Sequence, residues 1–175
     1  MSLEMKRGYD ILDTDLLGEI GIVVNECGIE KICLTKEVLE HYLRRHPDLK
    51  QDEILCKQAK KQLEEYFKGE RINFDLPLAV EGTVFRKQVW EALRQIPYGE
   101  VRSYGDIAKV IQNPKAVRAV GSANKANSLP LLIPCHRVIG AKGNLVGFMG
   151  CRTDVQSRLL QHEQEVLKER KNKEG

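Results

Sequence analysis

Residues 1–81 alternate between short apolar runs and charged stretches, which predicts a small α/β module. Two runs rich in Ile and Val, Glu19–Val24 and Lys31–Thr35, have the length and composition of strands, and the polar residues between them predict a turn. A helix is predicted from Pro47 and Asp48 onward, and Asp75–Leu78 is expected to be extended. The apolar face of that helix is formed by Leu55, Ala59, Leu63 and Tyr66.

From Gly82 onward the apolar positions predict a mostly helical half. The apolar face of its first helix is formed by Phe85, Val89, Leu93 and Ile96. The segment Pro97–Gly99 ends this helix. Ser103 and Asp106 have the spacing of a capping box, so they begin a second helix that runs to about Ile111.

A third helix is predicted over Pro114–Asn124, with Asn113 as its N-cap. Together with the preceding helix it forms a helix-turn-helix. Its side chains are small, with Val117 and Val120 expected to face inward and Arg118 to project. Helices that read bases usually carry several long polar side chains. This helix therefore either contacts DNA without reading its sequence or belongs to a tightly packed core pair.

The last predicted helix carries a carboxylate on its apolar stripe. Val155, Leu159 and Val166 define the stripe, and Glu163 falls on it. A buried carboxylate is costly unless it is paired. Glu163 therefore either meets a structural cation or orients a base such as His136. The charged residues that follow, 169–175, are expected to form a frayed tail.

The overall composition limits the function only weakly. The formal net charge of +3 fits nucleic-acid binding and an ordinary surface equally well. Five cysteines without paired spacing suggest free thiols in a reducing compartment, so we expect a cytoplasmic protein, or a nucleoid or nuclear one. There is no apolar run of about 18 residues and no signal peptide, so we expect no membrane association.

The strongest chemical signal is the pair Cys135-His136 within the run Ile133–Ile139. A buried thiol can be inert packing. A thiol beside a base can instead be a nucleophile, because the thiolate is the reactive form and a nearby base lowers the thiol pKa. The pair alone leaves both interpretations open.

Taken together, the motifs resemble those of the O6-alkylguanine-DNA alkyltransferases, also called methylated-DNA–protein-cysteine methyltransferases. The resemblance covers residues 82 to about 167, whereas the first half is similar only in size and in its strand-rich layout. The matching segments, in the family's order, are Gly82–Phe85, Val89–Leu93, Ile96–Gly99, Ser103–Ala108, Ala119–Gly121 and Ile133–Ile139. The resemblance implies an N-terminal ribonuclease-H-like α/β domain over 1–81 and a mostly helical DNA-binding and alkyl-acceptor domain over 82–168.

The resemblance also implies a reaction, which is irreversible, stoichiometric transfer of an alkyl group from O6-alkylguanine in DNA to the protein itself. Transfer from O4-alkylthymine is also expected. Cys135 would accept the group, His136 would take its proton through a bridging water, and Glu163 would orient His136. Asn127 would hold the turn that supports the active-site segment. We expect no metal, no cofactor and a monomer.

Further residues are implied to contact duplex DNA in the minor groove with little sequence preference. Arg118 would fill the space left by a flipped nucleotide, and Tyr104 would help to rotate that nucleotide out. Gly105, Asn113 and Ala119 would lie against the DNA. The substrate pocket would be lined by Tyr104, Val138, Phe148 and Met149.

The chain departs from the family where Phe148 replaces the usual Tyr, where Cys151 replaces a Gly, and where one extra residue precedes Glu163. These departures bear on which alkyl groups fit. Three alternatives remain: a lesion-binding protein of the alkyltransferase-like type, a transcription regulator, and a Cys-His hydrolase. Proteins of the first type lack the acceptor cysteine, which is present here as Cys135.

Overall fold

The structure is a computed structural model that describes residues 5–145 and 152–174. The chain divides into two compact units, Met1–Val80 and Glu81–Gly175. The first is a mixed α/β unit and the second is mostly helical, which confirms the predicted fold class.

The first unit contains an antiparallel sheet of three strands in the order β1 (Arg7–Thr14), β2 (Gly18–Asn25) and β3 (Gly28–Cys33). Strands β2 and β3 confirm the two strands that were predicted from the apolar runs. Strand β1 was missed because its buried positions alternate and include Gly8 and Asp10, so it has no continuous apolar run.

Two helices complete the first unit. Helix α1 (Lys36–Arg45) was not predicted, and Thr35 caps it by accepting a hydrogen bond from the Val38 N–H. Helix α2 (Glu53–Phe67) begins later than Pro47, because the Asp52 side chain is its N-cap. The buried face of α2 comprises Cys56, Ala59, Gln62, Leu63 and Tyr66.

The second unit begins with α3 (Val84–Arg94) and continues with α4 (Tyr104–Val110) and α5 (Val117–Lys125). Ser103 and Asp106 form the predicted capping box of α4. The indole N–H of Trp90 on α3 donates to the carbonyl of Ala123 on α5 at 2.8 Å, which ties these two helices together.

A short parallel pair of strands positions the candidate site. Strand β4 (Arg102–Ser103) pairs with β5 (Val138–Ile139), and β5 directly follows a 3-10 turn at Cys135–Arg137. Helix α4 begins immediately after β4. This pairing therefore brings the first residue of α4, Tyr104, toward the turn that carries the cysteine.

The start of α5 differs from the prediction. Asn113 is not its N-cap, since α5 begins at Val117 and has no side-chain cap. The chain reverses through Gln112, which has a positive φ of 61°, and the Asn113 carbonyl accepts a turn hydrogen bond from the Ala116 N–H at 3.0 Å. Val117 is 41% exposed rather than inward-facing, whereas Val120 is buried as expected.

Helix α6 (Thr153–Glu174) ends the described chain. Val155, Leu159, Glu163 and Val166 are all buried, which confirms the predicted stripe. The charged segment expected to fray is helical through Glu174, and its side chains are mostly exposed.

Candidate active site

Cys135 opens the 3-10 turn and is only 4% exposed. Burial raises the pKa of its thiol to about 11. A hydrogen bond from the Asn127 side chain and the backbone N–H groups of Cys135 and His136 oppose this rise, because they stabilise the thiolate. The resting side chain is therefore a protonated thiol whose anion already has hydrogen-bond donors around it.

Asn127 also holds the segment that leads to Cys135. Its Nδ2 donates to the carbonyl of Ile133 at 2.9 Å, and its Oδ1 accepts from the Leu129 N–H at 2.9 Å. Leu131 lies within this segment with a φ of 74°, which is unusual for a branched side chain. One amide therefore fixes both ends of a tight segment and reaches the sulfur as well.

The side chains of His136 and Glu163 are fully buried and form the centre of the site. His136 Nε2 lies 2.7 Å from Glu163 Oε2. Arg137 donates to both oxygens of the same carboxylate, from Nε at 2.9 Å and from Nη2 at 3.1 Å. The backbone N–H of Gly99 donates to Glu163 Oε1 at 3.1 Å. Glu163 thus meets a structural cation and orients the candidate base at the same time.

Burial keeps His136 neutral, and Arg137 assists. Burial lowers the pKa of His136, although its hydrogen bond to Glu163 acts in the opposite direction. Burial alone would raise the pKa of Glu163, but His136 and Arg137 hold that pKa well below its ordinary value. The ionised Glu163 and Arg137 balance each other, so a proton on His136 would leave a buried net positive charge.

The hydrogen bond to Glu163 also sets the tautomer of His136. A carboxylate only accepts, so Nε2 carries the proton and Nδ1 is left with its lone pair. Nδ1 has no hydrogen-bond partner among residues 5–145 and 152–174. The ring next to Cys135 can therefore accept a proton, and Glu163 would stabilise the imidazolium that forms.

Tyr104 lies close enough to Cys135 to respond to its charge. Burial raises the pKa of the half-buried Tyr104, a negative charge on Cys135 would raise it further, and a hydrogen bond with Asn124 lowers it. Asn124 Nδ2 in turn donates to the Cys135 carbonyl at 3.5 Å. Asn124 thus forms hydrogen bonds with both Tyr104 and Cys135 and links them.

The other implied contact residues are spread over the helix-turn-helix. Arg118, Ala119 and Asn113 are exposed, and Gly105 is half-buried at the start of α4. Val138 on β5 is fully buried. The remaining implied pocket residues, Phe148 and Met149, lie outside the described residues, as does Cys151.

The sequence reasoning missed three residues of this network: Gly99, Asn124 and Arg137. It also missed Gln156 on α6, whose side-chain amide donates to the carbonyls of His136 and Val138. Arg137 stands next to His136 in the sequence, but its partner is 26 residues away, so no local pattern reveals the ion pair. Gly99 carried a signal, since it stands in the Pro97–Gly99 segment that was expected to break the chain's helical pattern. The helix α3 ends earlier, at Arg94, and Gly99 has a left-handed φ of 81° that favours glycine. A Cβ at Gly99 would clash with Leu167 Cδ1.

Across the described parts of the chain, no three His, Cys, Asp or Glu side chains are grouped so that they could hold a metal ion. Among the same residues, no helix has the length and apolar character needed to cross a membrane. A buried thiol beside a neutral His–carboxylate pair, in a unit that also carries a helix-turn-helix, defines the class: a helix-turn-helix protein with its own candidate cysteine nucleophile.

Comparison with known proteins identifies the family. Residues 9–80 match the 6-O-methylguanine DNA methyltransferase ribonuclease-like domain, and residues 84–165 match the DNA binding domain of the same family. The constitutive methylated-DNA–protein-cysteine methyltransferase of Bacillus subtilis is 46% identical over 156 residues, which cover 88% of this chain and 94% of that protein. The methylated-DNA–protein-cysteine methyltransferase of Methanosarcina acetivorans is 53% identical over 113 residues, covering 65% and 72% of the two chains.

A crystal structure of Mycobacterium tuberculosis OGT in complex with DNA superposes with a TM-score of 0.80 at 38% identity, covering 91% of this chain and 94% of that one. The chain therefore belongs to the 6-O-methylguanine DNA methyltransferase family. The resemblance stated from the motifs is confirmed, as is the ribonuclease-like character of the first half.

Proposed function

We propose that this protein repairs DNA by transferring an alkyl group irreversibly from O6-alkylguanine, and from O4-alkylthymine, to its own Cys135. One observation carries the proposal. The buried thiol has Asn127 on its sulfur and is followed by a neutral His136 whose ring is fixed by Glu163. The family match and the relatives named as methylated-DNA–protein-cysteine methyltransferases support the same reaction.

In the reaction, the Cys135 sulfur forms a bond to the alkyl carbon while the bond between that carbon and guanine O6 breaks. The electron pair of the broken bond stays on the guanine. The thiol proton passes to Nδ1 of His136 through a bridging water. The guanine anion takes up one proton from solvent, and His136 releases to solvent the proton that it accepted. The products are an S-alkylcysteine and an unmodified guanine.

The difference between the two pKa values decides the timing of this proton transfer. The thiol pKa is about 11, and that of His136 lies below its ordinary 6.5. Complete transfer before attack is therefore disfavoured, because burial favours the neutral form of both groups. We infer that proton transfer accompanies attack and that the free protein keeps its thiol protonated. A thioether is a very poor leaving group, so each chain reacts once.

Binding to DNA is supported by the DNA binding domain match over residues 84–165 and by the relative solved with DNA. We place the contact in the minor groove, with the exposed Arg118 of α5 entering the duplex and Tyr104 acting on the flipped nucleotide. Gly105, Asn113 and Ala119 lie against the backbone in this proposal. The protein acts as a monomer in the cytoplasm or nucleoid, on lesions in any sequence.

The test replaces Cys135 with Ala, with Cys27→Ala as the matched control, because Cys27 is an exposed thiol. The C135A protein should lose transfer from an oligonucleotide with one O6-methylguanine but should bind that oligonucleotide as the wild type does. The C27A protein should transfer normally. Full transfer by C135A would refute the proposal.

A further inference from the structure

Gln156 lies in the first turns of α6, fully buried, and contacts the backbone of the active-site segment. Its Nε2 donates to the carbonyl of His136 at 3.0 Å and to the carbonyl of Val138 at 2.9 Å. Both neighbours are carbonyl oxygens, which only accept, so the amide nitrogen rather than the amide oxygen must face them. Both N–H groups of this amide are therefore used on the two carbonyls that flank Arg137.

Helix α6 contacts the active-site segment through a second buried side chain. Glu163 follows Gln156 by seven residues on the same buried face of α6, and it binds the side chains of His136 and Arg137. Gln156 thus fixes the backbone of this segment while Glu163 fixes its side chains. The regular secondary structure of this segment is short, because the 3-10 turn has three residues and the β4–β5 pair has two in each strand.

We propose that Gln156 is a positioning residue for alkyl transfer, which holds the backbone of His136 and Val138 so that the His136 ring stays aligned with Cys135. The proposal rests on the proposed function for its DNA substrate. An apolar side chain of similar size would fill the space but would leave two buried carbonyls without a donor. The two donors, rather than the volume, are therefore the contribution of Gln156.

Three substitutions separate donation from packing. Gln156→Leu keeps the approximate size and removes both donors, and Gln156→Glu keeps the shape but places carboxylate oxygens against carbonyl oxygens. Gln156→Lys restores donors without an acceptor. Gln161→Leu on the same helix is the matched control, since Gln161 is exposed and donates only to Glu165 among the described contacts.

The measurement is the single-turnover rate of transfer at saturating O6-methylguanine oligonucleotide, together with the Kd for that DNA and the thermal midpoint of each variant. We expect Q156L and Q156E to lower the limiting rate at least about tenfold, corresponding to one buried hydrogen bond or more, with Kd changed less than about twofold. Q156K should stay within about threefold of the wild type, and Q161L should match it. Equal slowing by Q156K, or a wild-type rate in Q156L, would overturn the proposal.

A second probe keeps this test independent of the DNA substrate. Iodoacetamide alkylates the Cys135 thiol without any modified base, and peptide mapping separates it from the exposed Cys27. The Q156L and Q156E proteins should also react more slowly at Cys135 with this reagent, because the misaligned His136 no longer assists the thiol. Unchanged iodoacetamide rates in both variants would refute positioning. Absence of methyl transfer in the wild type would instead refute the proposed function.

Discussion

Replacing Arg137 with Met removes the cation that balances Glu163 and keeps an unbranched side chain of similar length. The change deletes hydrogen bonds of 2.9 and 3.1 Å to the carboxylate and one of 2.8 Å to the Ile96 carbonyl. The side chains of Arg137 and Glu163 are 8% and 0% exposed, so water does not replace the lost partner. Breaking a buried pair of this kind costs about 3–5 kcal/mol of folding free energy.

The loss of folding free energy in R137M should depend on pH. Without Arg137, the ionised Glu163 keeps its hydrogen bonds with His136 and the Gly99 N–H but loses its balancing cation, so the pKa of His136 should rise from its present lowered value. In the wild type the lowered pKa of His136 means that the unfolded chain gains a proton below pH 6.5 and stability falls there. In the variant the folded chain holds that proton too, so the cost of R137M should be smaller near about pH 5.5 than near about pH 8.

The assay is urea unfolding of both proteins at the two pH values. Arg102→Met is the matched control, because Arg102 also donates to one carboxylate, Glu100 at 3.1 Å, and to one carbonyl, but its side chain is 39% exposed. It should cost less than about 1 kcal/mol. A cost below about 1 kcal/mol for R137M, or a cost that is the same at both pH values, would refute the electrostatic account of the site.

Three other predictions concern the thiols and the turn. His136→Ala should lower the limiting transfer rate and make that rate rise about tenfold per pH unit toward pH 11, because only spontaneous ionisation of Cys135 then supplies thiolate. A transfer rate that does not change between about pH 7 and 10 in single-turnover assays would contradict this. Folding stability should fall as pH rises above about 9, because the unfolded chain releases its thiol protons at lower pH than the folded chain does. In the folded chain the pKa values are raised to about 11 for Cys33, about 12 for Cys56 and about 11 for Cys135. Urea midpoints that stay constant to about pH 10.5 would argue against buried, protonated thiols. Gln112→Gly should raise folding stability by up to about 1 kcal/mol, because glycine adopts the φ of 61° without strain. A lower thermal midpoint would show that the Gln112 side chain stabilises the fold by more than its backbone strain destabilises it.

Features encoded within a few residues were predictable from the sequence. The capping box is local, and the structure forms it with hydrogen bonds of 2.9 Å at the Ser103 N–H and 3.0 Å at the Asp106 N–H. The burial of Glu163 followed from helical periodicity alone. The same logic failed for β1, whose buried face includes the polar Asp10, and for Asn113, where a turn through Gln112 overrides the capping preference.

Contacts between distant segments could not be predicted in this way. The partners of Arg137 and Gln156 lie on elements that the sequence separates by 18 to 41 residues. An Arg beside a His, or a Gln near the start of a helix, gives no signal of its partner when read locally. The roles of these two residues follow from the packing of α6 against the 3-10 turn.

The proposed reaction depends above all on Cys135 as the alkyl acceptor. Its most direct test is the intact mass of the wild-type protein after incubation with an oligonucleotide carrying one O6-methylguanine, followed by peptide mapping. We predict a single gain of one methylene unit, located on Cys135, that persists after the DNA is removed. An unchanged mass with the oligonucleotide still bound would contradict the account and indicate a protein that binds the lesion without repairing it.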